Sequence, residues 1–395
     1  MFLIAVMTTA IADITPAARR RNLFAACAAI VVFGFAMGLT YPLLSLLLER
    51  RGVSEAVIGV NAAMSPLGIL LFCAFIPVLA RRFGARTVTM TAAFAAAIIL
   101  LGYKLLPSLE AWFALRLVYG MVVSTLFVLS ESWVLKYADP GSRGKVVAIY
   151  GAALSASFGA GPAIISLIGI DGWLPFIIGA VVLVAATIPI SMIREERLET
   201  EHQAGWGDML AFVPKAPVLL SAVFIFAVFD AATLSLLPVY GVRLGFDLTT
   251  SANMLSALIV GNVVLLLPIG WLIDNADRRK VLAGLAALTF VLLLVLPLVV
   301  GTWVQWPVLF VAGASGYGIY TCALAILGDR YTSHELIAGS ASFASMWGAG
   351  ALAGSLIAGG AMQTVGHHGL PLSLAGCFAI FLVGMWLRAR QLKNP

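Results

Sequence analysis

Long apolar runs alternate with short polar breaks along this chain, and the runs are apolar on every side rather than along one stripe. A helix needs about 20 mostly apolar residues to cross the hydrocarbon core of a bilayer. Twelve stretches meet that requirement, near residues 23–48, 55–80, 87–106, 110–135, 145–169, 173–193, 217–242, 250–273, 281–301, 306–328, 336–362 and 371–388. Membrane-crossing strands would be shorter and would alternate apolar with polar residues. The pattern therefore predicts an all-α integral membrane protein with twelve transmembrane helices. The longest polar break, about residues 194–216, carries Arg194, Glu195, Glu196, Arg197, Glu199 and Glu201 and divides the spans six and six. The expected organisation is an N-terminal extension (1–22), a six-helix half (23–193), a linker (194–216), a second six-helix half (217–388) and a tail (389–395).

Composition removes the soluble alternatives. Of 395 residues, 62% are hydrophobic and only 11% charged, against about 25% charged in an ordinary soluble domain. So much apolar surface excludes disorder. Four cysteines in a chain of this length exclude a disulfide scaffold. Cys27, Cys73, Cys322 and Cys377 fall inside predicted spans and read as small core residues.

The basic residues set an orientation. With a cytoplasmic N-terminus, nineteen Lys and Arg fall in inside loops and span ends, and only Arg50, Arg51, Lys104 and Arg243 fall outside. Such an imbalance is the positive-inside signal, so both termini are expected in the cytoplasm. It also accounts for the net charge of +6 without a nucleic-acid partner, because the charges sit where anionic lipid would. Within residues 1–22 the apolar stretch precedes the arginines, the reverse of a signal peptide. A cytoplasmic extension is the expectation there.

The two halves are similar in sequence. Arg51-Gly52-Val53-Ser54 opens the second span and Leu244-Gly245-Phe246-Asp247 opens the eighth, 193 positions later. The loop beginning at Pro77 and ending at Arg86 is mirrored at the same offset by the loop from Gly270 to Arg279. Gly120 and Glu131 in the fourth span align with Gly318 and Asp329 in the tenth, at an offset of 198. Repeated six-span halves are an arrangement of secondary transporters.

In these motifs the chain resembles the major facilitator superfamily from residue 23 to 388. That family's loop pattern, in outline G-x-L-A-D-R-x-G-R-R, is matched at Gly270, Leu272, Asp274, Arg278 and Arg279, with Asn275 and Asp277 departing from it. The first copy matches at Leu79, Ala80, Arg82, Gly84 and Arg86, but has Pro77 for the glycine and Arg81 for the acid. Arg116 to Gly120 is similar to the family's fourth-span R-x-x-x-G element, and Gly151, Gly159, Gly161 and Pro162 are similar to a fifth-span element of drug–proton antiporters. Ser130-Glu131-Ser132-Trp133, followed by Arg143-Gly144-Lys145, resembles the YcaD-like subgroup. The resemblance implies the major facilitator fold, alternating access and a monomer in a bacterial-type inner (plasma) membrane.

Only three of the 42 charged residues lie well inside a span: Arg116, Glu131 and Asp230. A charge at the bilayer centre costs about 2.5–3.5 kcal/mol on insertion scales, so it normally faces a cavity or a partner. Asp230 lies near the middle of the seventh span with Phe226, Thr233 and Leu237 on its face, which makes it the leading candidate for proton coupling. The alternative is an acid hydrogen-bonded to its neighbours for packing alone. Arg116 shares a face of the fourth helix with Gly120, Ser124, Phe127 and Glu131. It reads equally as a cavity residue, binding an anionic group or modulating a proton carrier, and as a structural arginine tied to helix carbonyls. At 1.5 Å rise per residue Arg116 and Glu131 are about 22 Å apart, too far to pair directly.

Glu131 is near the inner end of its helix and, with Arg81, Arg82 and Arg143, is read as part of a cytoplasmic gate. The gate's second copy would use Asp274, Arg278 and Arg279. Gly151, Gly159, Gly161 and Pro162 form a helix-packing element, joined by Gly350 and Gly354 in the eleventh span. Ser124, Tyr150, Thr233, Tyr317 and Tyr320, with Trp347, are candidates to line an aromatic cavity.

No phosphate-binding glycine loop occurs, and His367-His368 has no third ligand nearby to suggest a metal site. With no cofactor and no ATP-binding segment expected, a gradient must drive transport. One proton crossing 100 mV yields about 2.3 kcal/mol. The sequence therefore points to proton-coupled export of a small, partly apolar solute. The alternatives are proton-coupled import of a nutrient or organic anion at Arg116, and, in another class, a lipid flippase or a non-transporting sensor.

Overall fold

The computed structural model describes residues 15–138, 143–193, 212–331 and 333–391. Among them are twelve helices long and apolar enough to cross a membrane. They are α1 (Pro16–Arg50), α2 (Glu55–Phe83), α3 (Ala85–Leu105), α4 (Leu109–Tyr137), α5 (Arg143–Ile168), α6 (Leu174–Ser191), α7 (Pro217–Arg243), α8 (Leu248–Asn275), α9 (Arg278–Val299), α10 (Gln305–Arg330), α11 (Ser333–Val365) and α12 (Gly369–Gln391). A 3-10 turn at Cys73–Phe75 interrupts α2, and α6 breaks at Ala186. α1 begins and α12 ends on one side, the terminal face. The loops after α1, α3, α5, α7, α9 and α11 form the opposite, far face.

α1 begins at Pro16, seven residues before the apolar run. Thr15 caps it, its hydroxyl accepting from the Ala18 N–H at 3.3 Å, and Pro16 occupies a first-turn position where no N–H is needed. Hydropathy marks where the oily part of a helix starts, not where its backbone does. Arg19, Arg20 and Arg21 therefore lie on helix. On the far face, Arg50 pairs with Asp171, and this neighbour holds the Asp171 carboxyl below the usual carboxylate range.

Glycines set the spacing of the repeat. A Cβ on Gly120 would stand 2.1 Å from the Ser65 carbonyl oxygen, and one on Gly68 2.1 Å from that of Leu117. α2 and α4 therefore cross backbone to backbone. In the second half a Cβ on Gly313 would meet the Leu258 carbonyl at 1.8 Å, and one on Gly261 that of Phe310 at 1.8 Å. Ser65, Gly68, Leu117 and Gly120 map onto Leu258, Gly261, Phe310 and Gly313 at an offset of 193, the offset of the loops. The packing thus equates Gly120 with Gly313 rather than with Gly318. Sequence similarity alone had slipped by five residues because α10 carries several small residues that can each match one glycine. Gly120→Ala should cost about 1–3 kcal/mol, since it overpacks a rigid backbone contact. Gly284→Ala, where nothing lies within 4 Å, should not. Thermal midpoints of the two variants in detergent check this.

The halves meet mainly along three helix pairs, α1 with α7, α2 with α11, and α5 with α8, and α2 also touches α7. Gly59 of α2 lies against the Ser355 carbonyl and Gly359 of α11, and Gly159 of α5 lies against Ile259 of α8. α5 also packs on α1 through Gly161, whose added Cβ would stand 2.2 Å from the Gly38 backbone. α4 and α5 scarcely touch α10 and α11. α7 is the most enclosed of the twelve helices.

Candidate functional site

α7 places Asp230 at the junction of the halves, with only 6% of its surface exposed. A carboxylate there needs donors. The Tyr317 hydroxyl of α10 donates to its Oδ1 at 2.9 Å, and the Trp347 indole of α11 is a second donor in reach. Thr233, one turn on, spends its hydroxyl on the Phe229 carbonyl at 2.7 Å, so it steadies the helix rather than the acid. Aromatic rings wall the carboxyl: Phe226 lies 5.7 Å from Tyr317 and 5.0 Å from Tyr320, Phe229 lies 5.9 Å from Tyr317, and Phe343 lies 6.5 Å from Tyr320. Three phenylalanine rings with two tyrosine hydroxyls make a surface that is apolar in bulk and polar at chosen points.

Glu131 approaches the same space from the first half. It is exposed, although it lies within α4, and its charge reaches the hydroxyls of Tyr150 and Tyr320. A carboxylate cannot face lipid at that depth without large cost. Tyr150 hydrogen-bonds Ser130 at 2.9 Å, and Ser124 is buried with its hydroxyl on the Met121 carbonyl. Asp230, Thr233, Tyr317 and Tyr320 thus cluster on the second half, with Glu131 and Tyr150 opposite.

Arg116 is elsewhere. It is 1% exposed, sealed in the first half where α4 crosses α2, and its Nη1 donates to Asn61 Oδ1 at 2.9 Å. Its guanidinium carbon lies 5.0 Å from the Tyr41 ring. Tyr41 is within electrostatic reach of both Arg116 and Asp230. Among the described residues no carboxylate pairs with Arg116.

In the second half the loop arginine Arg278 pairs within its own half. Arg278 binds Asp329, donates to the Ala325 carbonyl at 2.9 Å and stands 3.8 Å from Asp274. It thereby ties the α8–α9 loop to α10. Asp277 caps α9 by accepting from the Arg279 N–H at 2.9 Å, and Arg279 is exposed. Arg81 and Arg82 are exposed at the end of α2, Arg82 beside the Phe83 ring. The Arg143 side chain lies outside the described residues. Gly151 has open space about it, whereas Gly161 and Pro162 are buried against α1.

One feature of the far face was not foreseen from sequence. Arg243 at the end of α7 reaches across to the first half, its Nε 2.7 Å from Glu49 Oε1 of α1 and 3.3 Å from Glu55 Oε1 of α2. Both acids are about nine-tenths buried at the side chain. This triad joins the halves on the far face.

Comparison with known proteins agrees with this architecture. A family model described as "Major Facilitator Superfamily" matches residues 25–354 and again 219–395. An uncharacterized MFS-type transporter of Bacillus subtilis, YfkF, is 26% identical over 351 residues, covering 85% of this chain and 87% of the relative. The uncharacterized MFS-type transporter YcaD of Salmonella heidelberg is 21% identical, covering 93% and 95%. Among solved structures, the nucleoside transporter NupG superposes with a TM-score of 0.75 at 13% identity, over 94% of this chain and 98% of that one. A D-xylose-proton symporter superposes with a TM-score of 0.75 at 15% identity, over 93% and 97%.

Proposed function

Because this chain belongs to the Major Facilitator Superfamily of membrane transporters, we propose that it couples proton movement to the export of a small, partly apolar solute by alternating access. The observation that carries the reading is Asp230: the one acid near the middle of any span, 6% exposed, held by Tyr317 in a wall of aromatic rings between the halves. A carboxyl in that setting exchanges a proton at modest cost, because its charged form is held by few donors and its neutral form suits the surroundings. The aromatic wall supports a partly apolar cargo. Export is supported by the α5 element Gly151, Gly159, Gly161 and Pro162, which is similar to that of drug–proton antiporters. Import of an organic anion at Arg116 is less well supported, because Arg116 is sealed away from the space that Asp230 faces. The D-xylose-proton symporter shares the fold and couples its sugar to protons, which is compatible with proton coupling here.

The chain is assigned to a bacterial-type inner membrane as a monomer. The halves are 23–193 and 217–388, and the terminal face, which carries most of the Lys and Arg, is cytoplasmic. Cysteines introduced singly at Ala276 and Gly366 should label from the cytoplasmic and external sides respectively. Labelling of both from one side would end this topology.

Proteoliposomes with an imposed pH gradient and a pH-sensitive dye inside test the transport reading. Addition of a solute from a library of small, partly apolar compounds should collapse the gradient in a solute-dependent way. A flippase or a sensor would leave the gradient standing for every soluble compound.

A further inference from the structure

The α2–α4 crossing closes over a group of donors. Asn61, Tyr103 and Arg116 are each at most 1% exposed. Asn61 Nδ2, the Tyr103 hydroxyl and Arg116 Nη2 have no hydrogen-bond partner among the described residues. The Tyr119 hydroxyl, beside Thr40, borders the same group. Arg116 is within electrostatic reach of Tyr103, Tyr41 and Tyr119, and its described surroundings hold no acid. An amide N–H, a phenol and a guanidinium N–H all donate, so whatever completes this group accepts.

The internal repeat supplies a second observation. At the offset of 193, Ser65, Tyr103, Arg116 and Tyr119 correspond to Leu258, Leu296, Leu309 and Ala312. All four of these line one small hollow in the second half. The same fold position therefore holds a hollow in the second half and mainly larger side chains in the first. In the second half its lining is mainly apolar, whereas in the first the equivalent positions bring hydroxyls and a positive charge.

We infer that the first-half position binds one small inorganic anion of about the size of chloride, held by Arg116 Nη2, Asn61 Nδ2 and the Tyr103 hydroxyl. A buried charge needs a countercharge as well as hydrogen bonds. Water would supply only the second. The near-complete burial of Asn61, Tyr103 and Arg116 excludes an anionic group attached to a larger body, such as a solute carboxylate or a lipid phosphate. The bound anion neutralises Arg116, whose partner is Asn61, whereas Asp230 is held by Tyr317 and Trp347, so the two sites are separate. The inference does not rest on the transport reading.

Binding of radioactive chloride to the purified protein in gluconate buffer tests it. One saturable site per protein is expected, displaced by bromide and not by gluconate. Tyr103→Phe keeps the ring and removes one donor to a charged ligand, and should weaken binding about tenfold. Arg116→Gln should abolish it, and if that variant does not fold the Tyr103→Phe result decides. Absence of saturable chloride binding to the folded wild-type protein overturns the inference, as does equal affinity in Tyr103→Phe.

Discussion

Replacing Arg243 with glutamine should open the far face. Arg243 is the cation that joins Glu49 and Glu55 of the first half to α7 of the second. Its removal loses two charge-assisted contacts and leaves two nearly buried carboxylates facing each other without a cation. Hydrogen bonds to charged groups contribute about 1.5–3 kcal/mol each, and a stranded buried charge adds to that. Even a net effect of about 3 kcal/mol is roughly a hundredfold shift between the two open states. Spin labels at Leu106 and Thr302, in far-face loops of opposite halves, report it by pulsed electron resonance. Arg243→Gln should move the distance distribution to longer values, and Arg243→Lys should move it less because a charge remains. An unchanged distribution in Arg243→Gln would mean that the far face is held by helix packing alone.

Asp230→Asn should remove the pH dependence of the same distance distribution. Asparagine keeps the volume and can still accept from Tyr317, but it does not titrate. Above the pH at which Glu49 and Glu55 take up protons, the variant should therefore show the distribution that the wild-type protein reaches when Asp230 is neutral. A coupling of about 1–3 kcal/mol between proton and conformation is usual for linked sites. Asp230→Glu should retain a pH dependence displaced from that of the wild type. If Asp230→Asn responds to pH as the wild-type protein does, Asp230 is not the carrier, and Glu131 becomes the acid to test.

The architecture was legible because hydropathy reports burial in lipid directly, and twelve runs of sufficient length leave little choice of fold. Asp230 was legible for a related reason. A charge that costs several kcal/mol in a span stands out against a chain that keeps nearly all its other acids at the edges. Neutral polar residues carry no such signal, so Tyr41, Asn61 and Tyr103 passed as ordinary span residues although they surround Arg116. The Glu49–Arg243–Glu55 triad was hidden in another way. Charges at span ends are commonplace, and nothing in the sequence pairs residues on α1 and α2 with one so distant along the chain. Glu131 lies within electrostatic reach of Tyr150 and Tyr320, a proximity across helices that no pattern along one helix carries.

If Asp230 is the proton carrier, its proton and a solute among the neighbouring aromatic rings share one binding equilibrium. Proton exchange on solute binding measures this most directly. Purified protein in weakly buffered detergent is mixed with a solute that collapses the pH gradient in proteoliposomes, and the pH change is recorded alongside the heat of binding. The wild-type protein should bind the solute with release of a proton, as competition for Asp230 requires, and Asp230→Asn should bind it with no proton change. The same proton release from Asp230→Asn, or binding to the wild-type protein with no proton exchange at any pH, would contradict the account.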